Sequence, residues 1–217
     1  MMNSCCTSSS LPGTNKFFSK SSKRYLKQFR KRGLAKEQRL LLEGMTLSPI
    51  AGKAILDIGC GIGGLHFSLL ERGSSHATGI DVSEGMLGAA KSLSSELGYD
   101  GRTSYVLGDF MEMNGGIPVV DIVILDKVVC CYGDVDSLVG KSLDKTRNLY
   151  AISFPRPHRI NRMMIGTATL FAKTFRRPFH PYWHDWNRMV GLIREKGFTQ
   201  IYSGETLEWA VRVFERS

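Results

Sequence analysis

The sequence predicts an α/β fold: a mostly parallel sheet with helices on both faces and an antiparallel hairpin at the C-terminus. Three observations predict it. Short apolar runs ending at Ile58, Asp81, Gly108, Asp126 and Phe154 alternate with segments of helical period, which is the pattern of successive βα units. The first run passes directly into a glycine cluster, Gly59-Cys-Gly-Ile-Gly-Gly64, where a strand must turn sharply into a helix. The chain ends in two strand-like runs, residues 199–203 and 208–214, joined by Gly204-Glu-Thr, a link too short for a crossover helix.

The elements follow in order. After the glycines comes a helix over residues 65–72, then a strand over 76–81 and a helix over 83–97 that Ser83 can cap. Strands over 103–108 and 119–126 precede a helix over 135–143. The fifth strand, 148–154, is stopped by Pro155 and Pro157, and a last helix over 183–196 is closed by Gly197 ahead of the hairpin. With 217 residues, one domain can bury a substantial core.

The glycine cluster carries chemistry as well as shape. Its backbone allows close approach of a ligand, and the helix it opens offers free N–H groups. Asp81 ends the second strand 22 residues after Gly59, and an acceptor-only carboxylate there suits two ribose hydroxyls. Gly59, Gly61 and Gly64 also satisfy the G-x-G-x-x-G spacing of dinucleotide enzymes, so the loop alone leaves two cofactor classes open. Three acids tilt the balance. Asp57 lies inside the first strand, where a carboxylate can hold the loop and face an ammonium group. Asp109-Phe110 follows the third strand, where a carboxylate and a backbone N–H can read adenine. Asp126 ends the fourth strand, at the sheet edge where open α/β sheets bind ligands.

On these residues the chain resembles the class I S-adenosylmethionine (SAM)-dependent methyltransferases, over roughly residues 50 to 217. The resemblance implies a Rossmann-like seven-stranded sheet whose seventh strand runs antiparallel between the fifth and sixth. It implies SAM as cofactor and S-adenosylhomocysteine as product. It also implies cofactor contacts from Asp57, Gly59, Cys60, Gly61, Gly63, Asp81, Val82, Met86, Asp109, Phe110 and Asp126. More narrowly, the stretch from Asp121 to Pro155, with Gly197-Phe and the hairpin, is similar to magnesium-protoporphyrin methyltransferases, although Cys131-Tyr132 stands where those enzymes show His-Tyr.

The formal charge of +9 raises nucleic acid or a membrane surface as a partner. Between Lys16 and Lys36 basic residues interleave with Phe17, Phe18, Tyr25, Leu26 and Phe29 at helical spacing, which predicts one amphipathic helix. A solvated face over the cofactor mouth and a partner contact both fit it. The expected organisation is a disordered tail over 1–15, a helical cap over 16–50, and the main domain over 51–217. No apolar stretch reaches the length of a membrane span, and no secretory leader is evident; with reduced cysteines and no metal-ligand spacing, a metal-free cytoplasmic enzyme is expected.

Residues 156–182 interrupt the βα order with a helical lid insertion whose Met-rich, aromatic stripe serves either as core or as the cradle of a flat acceptor. Methyl transfer is mainly a task of alignment, and an oxygen acceptor is expected, as a carboxylate, phenol or hydroxyl. The candidate catalytic groups are His158 as base, with Tyr132 and Arg156. A nucleic-acid methyltransferase and a non-catalytic SAM-binding module are the alternatives; against the former, this chain lacks the Pro-Pro-Tyr/Phe cluster or Pro-Cys nucleophile such enzymes carry after the fourth strand. The oligomeric state is not legible.

Overall fold

The computed structural model describes residues 11–113, 115–175 and 181–217. Three helices lead the chain: α1 (Leu11–Ser19), α2 (Ser22–Arg32) and α3 (Lys36–Met45). The sheet domain then runs β1 (Ala54–Ile58), α4 (Gly64–Glu71), β2 (His76–Asp81), α5 (Glu84–Leu97), β3 (Thr103–Leu107), β4 (Val120–Asp126), α6 (Val135–Leu143) and β5 (Thr146–Pro155). It closes with α7 (Arg159–Thr174), α8 (Trp186–Glu195), β6 (Phe198–Glu205) and β7 (Trp209–Arg216).

All seven strands join one sheet in the order β3-β2-β1-β4-β5-β7-β6. Strands β1 to β5 pair in parallel, and β7 runs antiparallel to both β5 and β6. The Rossmann-like sheet with a terminal hairpin is therefore present as expected. Alternation along each strand sorts side chains into two cores. Leu56, Val123 and Leu125 face a layer that includes Leu138, Trp186 and Met189 of α6 and α8. Ile55, Ile122 and Ile124 face the other layer, with Leu41, Leu65, Leu69 and Leu93 of α3, α4 and α5. Because β1 has β2 on one side and β4 on the other, the strand order reverses beside it. That reversal opens a crevice at the C-terminal edge of the sheet.

The N-terminus departs from expectation. Residues 11–15 belong to α1, so a disordered tail over 1–15 does not hold for them; residues 1–10 lie outside the described residues. The single helix expected over 16–36 is divided at Lys20 and Ser21, where the Ser22 hydroxyl donates to Ser19 O at 2.8 Å, a local bond that competes with helix continuation. Helix α1 docks on the start of α5. Ser19 Oγ accepts from Gly85 N at 3.0 Å, and a Cβ on Gly85 would sit 2.7 Å from Ser19 Cα.

Candidate active site

A cavity of about 490 Å³ lies in that crevice, with the glycine loop as its floor and α2 and α3 as its roof. The loop needs glycine for conformation and for space. Gly59 and Gly61 have φ of 68° and 55°. The loop is tied to β2 by Gly59 N and Cys60 N, which both donate to Ile80 O, at 2.7 and 3.0 Å. A Cβ on Gly59 would come within 2.4 Å of Val128 Cγ2, whereas one on Gly61 would meet nothing within 4 Å. Gly61 thus leaves room for a ligand against bare backbone. Gly63 does something else: a Cβ there would lie 2.5 Å from His66 Nε2, so its smallness serves packing, and Gly64 lines the cavity in its place.

The acids separate into two groups. Asp81 lines the cavity; Oδ2 accepts from Gly61 N and Oδ1 from Ser83 N, both at 2.8 Å. A carboxylate has about four acceptor positions, so capacity remains for a ligand hydroxyl. Burial pushes its pKa up to about 6, against the lowering effect of those backbone N–H groups. Asp126 also lines the cavity, and burial raises its pKa too. Its Oδ1 accepts from Ser153 Oγ at 2.5 Å and its Oδ2 from Gln38 Nε2 at 2.9 Å.

Asp57 and Asp109 face elsewhere. Asp57 shares the inner face of β1 with Ile55, and its Oδ2 lies 2.9 Å from His66 Nδ1 on α4, so it supports the loop from below and does not line the cavity. Asp109 is buried beside the cavity, its Oδ1 accepting from Tyr132 Oη at 2.5 Å and Met111 N at 2.9 Å, while Gly108 and Phe110 form the wall. Burial raises the Asp109 pKa, and the tyrosine bond works against that rise. Lys141 Nζ fastens the same segment by donating to the carbonyls of Phe110, Met111 and Met113 at 2.9, 2.9 and 2.8 Å. Cys60, Val82 and Met86 line the cavity as expected. The Cys60 thiol is held protonated, first by burial and then by Asp57 and Asp81.

The candidate catalytic residues need correction. His158 is exposed and Arg156 pairs with Glu205 at 2.7 Å; neither lines the cavity, nor does any described residue of the 156–182 insertion. Proline after β5 sends the chain outward instead of back over the sheet. Tyr132 does line the cavity, but its hydroxyl is spent on Asp109, which makes it a positioning residue for the 109–113 segment.

In their place the structure brings in α3. Gln38 bridges two segments, since its Oε1 accepts from Ala35 N at 3.1 Å while its amide donates to Asp126. Glu37 pairs with Lys127, the only non-glycine at positive φ (61°) among the described residues. All four side chains line the cavity. Burial works to lower the Lys127 pKa, but Asp126 and Glu37 outweigh it and the pKa rises. Sequence reasoning passed over Glu37 and Gln38; with Ala35 at the N-cap, no capping signature marked Gln38.

The sheet order and the glycine loop give this chain the fold of the class I SAM-dependent methyltransferases, and residues 55–141 match the family described as a methyltransferase domain. SAM is the cofactor of that class, and the open Gly61 face with the buried Asp81 fits it. Among particular proteins, the chain is 30% identical over 82 residues to sterol 24-C-methyltransferase ERG6B of Gibberella zeae. That match takes in 38% of this chain and 21% of the relative, so the chain spans about a fifth of the length of the curated relative it matches. The magnesium protoporphyrin IX methyltransferase ChlM from Synechocystis PCC 6803, with bound SAH, has a TM-score of 0.72 at 18% identity, covering 94% of this chain and 98% of that one. The same enzyme with bound SAM gives 0.70 at 17%, covering 96% and 97%. At such identity the likeness is one of fold.

Proposed function

We propose that this chain transfers the methyl group of SAM to an oxygen of a small, largely apolar molecule. The observation that carries the proposal is the cavity itself, over whose glycine loop α1 and α2 set Phe18, Tyr25 and Phe29. A small acceptor suits such a chamber, whereas a nucleic-acid strand wants an open basic groove. When bound, SAM supplies a methyl group on a sulfonium, which passes to the acceptor as the C–S electron pair returns to sulfur, leaving S-adenosylhomocysteine.

The chain's own residues provide alignment. We assign Gly108 and Phe110 after β3 to the base, Asp81 after β2 to the ribose, and the β1 loop to the amino-acid end, since all of them line the cavity. On that assignment the end of β4 is the side from which the acceptor approaches. Asp126, Lys127, Glu37 and Gln38 gather there, and we assign them the acceptor's polar end. Lys127 is placed to hold an acceptor oxygen that carries or develops negative charge. Glu37, paired with it, is placed to receive a proton from a phenol or hydroxyl, while a carboxylate acceptor needs no base. Holding the two reactants in line accounts for on the order of 7–11 kcal/mol of barrier reduction in such reactions. The free thiols Cys60 and Cys130 support a reducing, cytoplasmic setting, and no described helix is long and apolar enough to cross a membrane.

A labelled-methyl transfer screen against small carboxylic acids, phenols, tetrapyrroles and tRNA tests the proposal. Label on an oxygen of a small acceptor is the expected result. Label on tRNA alone would replace it with the nucleic-acid alternative, and saturable S-adenosylhomocysteine binding without any transfer would leave a binding module.

A further inference from the structure

Helix α7 is built the wrong way round for a helix that packs on a core. Its protein-facing side is small and polar in large part: Asn161, Ile165, Thr169 and the buried Ala172. Asn161 Nδ2 donates to the carbonyls of Arg156 and Glu208, both at 3.1 Å, and Thr169 Oγ1 to Pro181 O at 2.7 Å. The large apolar residues point outward. Ile160, Met163, Met164, Leu170, Phe171 and, just past the helix end, Phe175 are each more than half exposed. At 3.6 residues per turn they cover an arc of roughly 140° on the solvent side. Arg159 borders one side of that arc and the exposed Arg162 lies about 60° further round on the same side; neither forms an ion pair among the described residues.

The positive charge is unevenly distributed along the chain. Residues 1–36 and 145–184 together hold seventeen of the 29 Lys and Arg and none of the 20 Asp and Glu, so the rest of the chain is net acidic. Both segments reach the C-terminal edge of the sheet: α2 lines the cavity there, and α7 follows Pro155 at the end of β5. That edge thus carries the basic residues of α2 beside the outward apolar helix with its Arg159 and Arg162.

We infer that α7 is a docking helix for an anionic phospholipid bilayer, its apolar arc seated at the boundary between headgroups and acyl chains and its arginines on the lipid phosphates. The chemistry selects this partner over others. A nucleic acid would satisfy the charge but offers nothing for six large apolar side chains. A second copy of the chain would bring like charge against like. A bilayer with anionic lipid supplies apolar depth and negative surface together. Since no described helix can span a membrane, the attachment is peripheral. The inference does not depend on methyl transfer.

Co-sedimentation of the full chain with vesicles tests it, comparing phosphatidylcholine alone with phosphatidylcholine containing one-third phosphatidylglycerol. We expect binding to the anionic vesicles that drops at least about tenfold on neutral ones and in the Met163→Glu/Leu170→Glu double variant. Arg159→Ala/Arg162→Ala should lose less. The double variant should keep its circular dichroism and its S-adenosylhomocysteine affinity, which separates lost docking from lost folding. Equal binding by wild type and double variant, or no binding by wild type, would overturn the inference. So would a dimer in light scattering, or retention of tRNA, that the double variant abolishes, since either would assign the arc to another partner.

Discussion

Oδ2 of Asp57 and Nδ1 of His66 lie 2.9 Å apart beneath the glycine loop, both buried and both outside the cavity. The other ring nitrogen of His66 reaches Tyr105 Oη at 3.3 Å, so the imidazole links β1, α4 and β3. This pair supports the loop without touching ligand. His66→Leu leaves the Asp57 carboxylate without its partner, and we expect a loss of about 1–3 kcal/mol of stability, read as a lower urea midpoint at unchanged slope. Asp57→Asn, which keeps a bond to the ring, should lose less.

Asp81 makes stability and cofactor affinity depend on pH in opposite senses. Its pKa rises from 3.8 in the unfolded chain to about 6 in the fold. Between those values the native state holds a proton that the unfolded state has released. This group's contribution therefore declines as pH rises from about 4 to about 6, by on the order of 3 kcal/mol, and is level above that. A ligand hydroxyl prefers the carboxylate, so S-adenosylhomocysteine affinity should weaken as pH falls below about 6. Calorimetry from pH 5 to pH 8 checks it, and Asp81→Asn should flatten the profile. Asp81→Ala should weaken binding by about 1–3 kcal/mol at neutral pH.

The Glu37 and Lys127 pair couples the N-terminal cap to the end of β4. A double-mutant cycle with Glu37→Gln and Lys127→Met should give a coupling of about 1–3 kcal/mol in stability. In transfer assays Lys127→Met should depress kcat far more than S-adenosylhomocysteine affinity. Additive effects in both measurements would detach the pair from the acceptor role.

Gly85 lets α1 sit on α5, since a Cβ there would lie 2.7 Å from both Cα and Cβ of Ser19. Gly85→Ala should lift α1 and α2 while leaving the sheet domain folded. Trypsin should then cut between Lys16 and Arg32 at least about tenfold faster, as expected when local opening becomes easier, and cofactor affinity should fall with it.

Exposure of His158 predicts a full-activity His158→Ala variant in any transfer assay. Tyr132→Phe should instead raise the KM for SAM with kcat little changed, because its hydroxyl orders Asp109 and the segment that follows. A collapse of kcat in His158→Ala would return that residue to the chemistry.

The succession of strands and helices, the glycine loop, Asp81 and the closing hairpin were all legible from residues alone. Each depends on short-range rules: a run of apolar residues long enough for a strand, a positive φ that only glycine adopts freely, a link too short to hold a helix. Asp57 marks where that legibility ends. Its position in the first strand was evident, and period-two alternation assigns it to the face of Ile55. Which side chain would meet it there depended on the rotation of α4, which placed His66 opposite.

The acceptor side was less accessible because its groups come from distant parts of the chain. Gln38 meets Asp126 across 88 residues of sequence, and Glu37 meets Lys127 across a similar gap. Hydrophobic periodicity located α3 only as part of a cap; the cap's docking on β6 and β7 decided that its first turn would overhang β4. In the same way, the apolar stripe of residues 160–175 was plain in the sequence, but which way it faced was not. Periodicity defines a face and says nothing of what lies opposite it. The anchors at Asn161 and Thr169 turn that face to solvent, a choice made by a few long-range hydrogen bonds that no local pattern encodes.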